Sequence, residues 1–254
     1  KSYKKTLKHL SGVLRKELVR KDKLSLQFLN SIPLNYQNNT SYNTTRRHLN
    51  VLVNYLIEND FNIPKTSLKT RKQEEVLHKT ISDVKGLLEQ VCLFDKNLYL
   101  CSLLTYCCLL RPHQEIRQLK WGDFNEDLTL ISLPGKRNKS GRNRIVPVSP
   151  FISKYLQVGE RENNIFTGTR TPRNRYYFST LWSRYKEQSN LIEDNQTLYS
   201  FRHTGAIDVF QRTGSLTKLQ QVMGHSNMTV SLGYLRNLEL PTLTMEDMPV
   251  LNHG

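Results

Sequence analysis

The region from Leu198 to Arg236 restricts the fold most strongly, because glycines divide it into short helical segments. Gly214 predicts the end of a helix over 202–213, since glycine readily adopts the left-handed conformation that closes a helix. Ser215 or Thr217 is a typical helix start, and the next helix should run through Met223 and end at Gly224. The sequence therefore predicts short helices joined by tight turns.

Polar residues recur at defined intervals in the same region. The relevant segments are Leu198-Tyr-Ser-Phe-Arg202-His-Thr-Gly-Ala, Val222-Met-Gly-His225-Ser-Asn and Ser231-Leu-Gly-Tyr234-Leu-Arg. Arg202 and His225 are 23 residues apart, and Tyr234 follows 9 residues later. This order and spacing resemble the tyrosine recombinases of the phage integrase family, and most closely the integrases of conjugative transposons and related mobile elements. Each residue alone has an ordinary structural interpretation, and the joint pattern favours an active site.

A second segment resembles the first conserved box of that family. It reads Leu109-Leu-Arg111-Pro-His-Gln-Glu115-Ile-Arg-Gln-Leu-Lys-Trp121-Gly-Asp123. Pro112 suits the first turn of a helix, so we expect Arg111 to open one. Glu115 lies four positions after Arg111, where most relatives have three, so the resemblance leaves an orienting role for Glu115 open.

A β-hairpin is predicted between these boxes. Residues 128–133 and 144–148 have the composition of strands, and a basic, glycine-containing loop joins them. The resemblance implies a catalytic lysine in this loop. Lys139 fits the expected distance from the second strand better than Lys136, and Lys136 stays as the alternative.

The resemblance implies a specific chemistry for these residues. Arg111 and Arg202 would clamp a DNA phosphate, because a planar guanidinium can bind two oxygens and stays charged. His225 would donate a third hydrogen bond, and Lys139 would protonate the departing 5′ oxygen. Tyr234 would attack phosphorus and carry the DNA as a 3′-phosphotyrosine. We expect no metal ion and no cofactor to be needed.

Tyr199 departs from the family pattern, in which a histidine usually lies three positions before the second arginine. A neutral phenol has a pKa of about 10 and is a weak base at neutral pH, although its hydroxyl can donate to a phosphate. His203 is not expected to replace that histidine, because adjacent helix positions face different ways. The group that deprotonates Tyr234 is therefore unassigned.

The charge of the chain favours a nucleic-acid partner. Lys and Arg number 37 against 22 Asp and Glu, a formal net charge of +15. Residues 1–80 hold 16 basic and 6 acidic side chains, which leaves +10 for that segment and +5 for the rest. Such an excess attracts phosphate and makes binding salt-dependent. The basic residues that we expect to contact DNA are Lys4, Lys5, Arg46, Arg47, Lys136, Arg137, Arg142, Arg173 and Arg175.

Two domains are predicted. Residues 1–63 should form an all-α domain with helices over 3–19, 23–31 and 44–57, the last capped by Asn43 or Thr44, and it resembles the core-binding domain of the family. Residues 64–72 lack an apolar period and are expected to be a linker. Residues 73–254 should be an α+β catalytic domain, mainly helical with a small antiparallel sheet, beginning with helices over 73–90 and 98–110.

The cysteines and the lengths of the apolar runs indicate the cellular compartment that we expect. Cys92, Cys101, Cys107 and Cys108 lie in apolar stretches and form no Cys-x-x-Cys pair, so we expect buried free thiols in a reducing compartment. No apolar run approaches a membrane span, and no signal peptide is visible. We expect a cytoplasmic, nucleoid-associated protein without a membrane partner. The start at Lys1 suggests a fragment from which an arm-DNA-binding domain has been removed.

The family resemblance also implies an assembly. Four protomers would join two duplexes through a Holliday junction, with residues 237–254 packing on a neighbour and with accessory DNA-bending or excision proteins. A type IB topoisomerase would share the catalytic residues but act as a monomer. The helix-turn-helix appearance of 202–223, Tyr199 and the displaced Glu115 leave a second alternative, a catalytically inactive DNA-binding regulator.

Overall fold

The fold is taken from a computed structural model, in which residues 2–72, 79–137 and 141–235 are described. The chain divides into two compact units, residues 1–76 and 77–254. Each unit is described by itself.

The first unit contains three helices within the described residues, α1 (Ser2–Lys21), α2 (Leu26–Leu34) and α3 (Asn39–Glu58). Leucines at helical spacing on all three close a core around Leu14, Leu29 and Leu49, each at most 3% exposed. The cap of α3 is Asn38, whose side chain accepts hydrogen bonds from the next turn. The expected cap at Asn43 or Thr44 is therefore wrong, because α3 continues through polar residues that carry no apolar period.

Residues 64–72, expected as a linker, run along α3 within the first unit. The Tyr42 hydroxyl donates to the Lys69 carbonyl over 3.0 Å, and Arg46 Nε donates to the Leu68 carbonyl over 2.6 Å. Asn43 exchanges two hydrogen bonds of 2.7 and 2.9 Å with the backbone of Arg71. Since α3 side chains hold backbone groups, a segment without an apolar period can still be fixed in place.

The second unit is a helical domain with one small sheet among its described residues. Its helices are α4 (Val84–Phe94), α5 (Lys96–Cys107), α6 (Pro150–Ser153), α7 (Tyr177–Gln188), α8 (Leu198–Thr213), α9 (Leu216–Met223) and α10 (Met228–Leu235). The strands β1 (Leu130–Leu133) and β2 (Arg144–Pro147) pair antiparallel, with Ile131 opposite Val146. The predicted hairpin and the helix ends at Gly214 and Gly224 are confirmed.

Helix α5 is the centre of this unit. It is buried on most sides, and its residues Leu98, Leu103 and Leu104 are at most 1% exposed. Helix α8 packs closely against it at Gly205, where an added Cβ would lie 2.2 Å from the Tyr106 carbonyl oxygen. Only glycine permits this approach, which brings the end of α5 next to α8.

Three expectations for this unit are wrong. Helix α4 begins at Val84 after its cap Asp83, eleven residues later than expected; of the expected start, residues 73–78 lie outside the described part. Arg111 opens no α-helix, because the chain forms a turn and a short 3₁₀ helix over Ile116–Gln118, with the Glu115 carboxylate accepting from the Arg111 backbone N–H. Cys92 is exposed, and only Cys101 and Cys108 are buried.

No helix in the described ranges combines the length and apolar character that crossing a bilayer requires.

Candidate active site

Four separate elements of the second unit contribute to the candidate site. Arg111 lies just after α5, Arg202 in the second turn of α8, His225 just after α9, and Tyr234 near the end of α10. Capping by Thr197 fixes the start of α8, and the left-handed Gly224 turns the chain towards His225. Local helix ends therefore determine where each of these side chains lies.

Arg202 is fully buried, with a relative exposure of 0%. Its Nη2 donates to the Met223 carbonyl over 3.0 Å. Its Nε and Nη1 donate no hydrogen bond to any part of the chain that the structure describes. Burial lowers the pKa of Arg202, and the nearby Tyr234 phenol opposes that shift. A buried guanidinium whose N–H donors are not all satisfied by the protein is suited to bind an anion.

Glu115 orients Arg111, the role that the sequence left open. Its Oε2 accepts from the Arg111 backbone N–H over 2.9 Å, and its Oε1 pairs with Arg111 Nη1. The carboxylate also accepts from Arg144 Nη2 over 2.8 Å. Burial alone would raise the pKa of Glu115, but Arg144 and Arg111 hold it below its ordinary value. The extra residue between Arg111 and Glu115 is accommodated by the turn.

Arg144 is the site residue that sequence reasoning missed. It begins the predicted second strand, next to the basic loop, and it is only 6% exposed. Its register is the signal that could have found it, because Arg144 and Val146 alternate inward on the buried face of β2. Burial lowers the pKa of Arg144 to about 10, against the opposing effect of Glu115.

His225 lies in this cluster of positive charge. Its Nδ1 is 2.9 Å from Ser231 Oγ. Burial, followed by Arg202 and the other two arginines, lowers the pKa of His225 to about 4. The imidazole is therefore neutral at pH 7 and carries a single N–H.

Tyr234 lies between two imidazoles. The His225 ring centroid is 5.4 Å from that of Tyr234, and the His203 ring stacks on the phenol at 5.2 Å with 27° between the planes. His203 was not expected to replace the histidine that relatives have at the position of Tyr199, yet its ring contacts Tyr234, because Tyr234 approaches from α10 and not along α8. Stacking of this kind restricts the phenol ring.

Tyr199 lies beside the two clamp arginines. Burial raises its pKa, although Arg202 and Arg111 act in the opposite direction, so the phenol stays neutral at pH 7. Its ring centroid is 5.9 Å from that of His113. Tyr199 can thus offer a hydroxyl to the site but no negative charge.

The remaining predicted residues lie in different places. Lys139 lies outside the described residues. Lys136 is exposed, whereas Arg137 pairs with Asp123 and donates to the Gln118 carbonyl over 3.0 Å. Arg142 lines a cleft of about 510 Å³ beside His225.

The other basic residues predicted to contact DNA are mostly exposed. Arg46 and Arg47 line a cavity of about 430 Å³ in the first unit, and Lys4 and Lys5 lie on the exposed side of α1. Arg173 and Arg175 rest on the rings of Tyr177 and Tyr176. Within the described ranges, no three His, Cys, Asp or Glu side chains are grouped closely enough to hold a metal ion.

Two guanidinium groups, a neutral imidazole and a phenol lie close together in the second unit, a set of side chains suited to binding a phosphate. Comparison with known proteins agrees. The model of the phage integrase family matches residues 79–239, more than half of the 254 residues. The chain belongs to this family, the tyrosine recombinases.

Individual relatives are distant. The tyrosine recombinase XerA of Pyrococcus horikoshii is 26% identical over 181 residues, which are 68% of this chain and 59% of the relative. The tyrosine recombinase XerC of Rhizobium meliloti is 24% identical over 179 residues, 67% of this chain and 54% of the relative. The chain thus spans less than three fifths of the length of these curated relatives.

Solved structures share the fold. A lambda integrase dimer bound to a COC′ core site has a TM-score of 0.69 at 16% identity, covering 87% of this chain and 68% of that one. The Tn1549 transposon integrase in complex with a circular intermediate DNA has a TM-score of 0.62 at 16% identity, covering 91% and 93%. The predicted fold class, mainly helical with a small antiparallel sheet, is confirmed for the catalytic domain.

Proposed function

We propose that this chain cleaves and rejoins double-stranded DNA at specific sites through a covalent 3′-phosphotyrosine at Tyr234. The observation that supports this most directly is the fully buried Arg202 guanidinium, whose Nε and Nη1 donate no hydrogen bond within the described chain. A phosphate oxygen is the acceptor that suits such donors.

The charge of the site supports a phosphate ligand. Arg111, Arg144 and Arg202 contribute three positive charges, and Glu115 contributes one negative charge, which leaves two positive charges in a largely buried cluster. An unpaired buried charge is costly, so a phosphodiester that enters the site offsets part of that cost. Negative charge grows on the non-bridging oxygens in the transition state, where these donors are already in place.

The reaction balances without an external energy source. The Tyr234 oxygen forms a bond to phosphorus while the bond from phosphorus to the 5′ oxygen breaks, and the leaving oxygen takes a proton to become a hydroxyl. Lys139 is the proposed donor of that proton. Attack by the 5′-hydroxyl of another strand reverses the step and rejoins the DNA. The Tyr234 phenol loses one proton as the 5′ oxygen gains one, so the step needs no net proton.

The biological setting is also part of the proposal. The likeness to a transposon integrase supports integration and excision of a mobile element. Residues 1–63 would act as a core-binding domain that contacts DNA through Lys4, Lys5, Arg46 and Arg47. Four copies would assemble on synapsed DNA in the cytoplasm, with accessory DNA-bending or excision proteins.

The test is trapping on a nicked suicide duplex taken from the ends of the element that encodes the chain. The wild-type protein should form an adduct that survives denaturing electrophoresis, and Tyr234→Phe should form none. Tyr155→Phe is the matched control, since this half-exposed tyrosine lies outside the site. An adduct that persists in Tyr234→Phe would refute the assignment, and absence of any wild-type adduct would favour the inactive regulator.

A further inference from the structure

Arg144 connects parts of the site that are far apart in sequence. It begins β2, and its guanidinium reaches two different acceptors. Nη2 donates to Glu115 Oε2 over 2.8 Å, and Nη1 donates to the Met223 carbonyl over 2.7 Å. Glu115 lies beside the first catalytic arginine, and Met223 lies two residues before the catalytic histidine.

Each of these acceptors also binds a clamp arginine. The Glu115 carboxylate pairs with Arg111, and the Met223 carbonyl accepts from Arg202 Nη2 over 3.0 Å. Arg144 therefore shares one acceptor with each clamp arginine. Because a carbonyl that is held by Arg144 fixes Nη2 of Arg202, the orientation of Nε and Nη1 of Arg202 is fixed as well.

The turn that carries His225 rests on the same side chain. Gly224 has a φ of 66°, in the left-handed region. A Cβ added to Gly224 would lie 2.9 Å from both Cδ and Nη1 of Arg144. The backbone thus approaches Arg144 as closely as a glycine allows, and the position of His225 depends on this contact.

We propose that Arg144 is a positioning residue for strand cleavage, which sets Arg111, Arg202 and the His225 turn in one arrangement. The inference rests on the proposed function, because it assigns a role within the same reaction. Lysine cannot replace Arg144, since a single ammonium group lacks the planar fork that reaches a carboxylate and a carbonyl on opposite sides.

The test is Arg144→Lys, measured as the rate of covalent adduct formation in a single turnover on the nicked duplex. We expect a fall of about 10- to 100-fold, because small displacements of a catalytic group have effects of this size. Affinity for an uncleavable duplex should change by less than about threefold, since Arg144 is buried and touches protein groups. The matched control Arg212→Lys changes an exposed arginine of α8 and should cleave at the wild-type rate.

A double-mutant cycle separates positioning from a general loss of stability. If Arg144 acts through Arg202, the variant Arg144→Lys/Arg202→Lys should cleave within about threefold of Arg202→Lys alone. Independent effects would multiply and would overturn the proposal. Thermal unfolding followed by tryptophan fluorescence shows whether each variant is folded.

Gly224→Ala provides the test if Arg144→Lys does not fold. It keeps every charge but forces the His225 turn away from Arg144, so cleavage should fall at least about tenfold with DNA affinity retained. If Arg144→Lys is folded and cleaves at the wild-type rate, the inference is wrong. If Arg144→Lys does not fold, a folded Gly224→Ala that cleaves at the wild-type rate overturns the inference instead. Failure of the proposed function would look different, because the wild-type protein itself would then form no adduct with Tyr234.

Discussion

At the scale of single residues, burial affects the arginines and the imidazole of the site differently. The arginines remain cationic in spite of burial, whereas burial lowers the pKa of His225 to about 4 and leaves its imidazole neutral at pH 7. Desolvation disfavours any charged form, and only the guanidinium has a pKa high enough to remain charged after such a shift. The division of roles therefore follows from the residue types.

Tyr199→His tests whether the phenol only donates a hydrogen bond. An imidazole at this position restores the group that relatives usually have, so adduct formation should be unchanged or rise by up to about tenfold. The rate is measured by single-turnover cleavage of the nicked duplex, with Tyr155→Phe as control. A collapse of activity would mean that the pocket depends on the Tyr199 ring, which lies against His113.

The sequence indicated the residues with proposed chemical roles, but it did not indicate the residues that hold those side chains in position. Arg202, His225 and Tyr234 stand in a recognisable order, and the structure brings all three to one place. Arg144 begins the predicted second strand beside a run of basic residues, so only its alternation with Val146 indicates burial. The stacking of His203 on Tyr234 joins two helices, and contacts between helices cannot be read from spacing within one of them.

At the scale of elements, close packing of α5 against α8 places the two clamp arginines near each other. Arg111 follows α5 directly, and Arg202 lies one turn before Gly205, where the helices touch. The hairpin was predicted because strand composition and a glycine-containing loop are local signals. The start of α4 and the turn at Arg111 were predicted wrongly, since side-chain caps from Asp83 and Glu115 decide them.

Gly205→Ala should separate these two helices. Its Cβ would meet the Tyr106 carbonyl at 2.2 Å, which the backbone can relieve only by moving. We expect a loss of about 1–3 kcal/mol in the free energy of unfolding and slower cleavage. Both tryptophans, Trp121 and Trp182, lie in the second unit, so urea unfolding followed by their fluorescence reports on it.

Gly12→Ala is the matched control for that substitution. Gly12 lies within α1, and an added Cβ would have no heavy atom within 4 Å. The same change should therefore stabilise α1 by about 0.5–1 kcal/mol, as measured by circular dichroism. If Gly205→Ala proved equally harmless, close packing at Gly205 would not determine the arrangement of the two helices.

At the scale of the whole molecule, a basic protein of net charge +15 keeps a neutral histidine in a field of buried positive charge. Such a histidine links folding to pH. The pKa of His225 is about 4 in the folded chain, against an ordinary value of 6.5. Between these two values the unfolded chain binds a proton that the folded chain does not.

The free energy of unfolding should therefore decline as the pH falls from 6.5 to 4, and the contribution of His225 should stay constant above pH 6.5. His225 accounts for at most about 3 kcal/mol of this decline. Urea unfolding at several pH values, followed by tryptophan fluorescence, measures it. His225→Gln should show a smaller decline, and an identical pH dependence in both proteins would contradict the depressed pKa.

The carbonyl of Met223 accepts hydrogen bonds from two arginines, and this limits which segments of the chain can be replaced by those of a relative. A chimera that received its β-hairpin from a relative lacking arginine at the position of Arg144 would keep every reactive group. The imported hairpin would nevertheless lack the guanidinium that binds the Met223 carbonyl and packs against Gly224. Grafts in this region should succeed only when the hairpin and the glycine-histidine turn are transferred together.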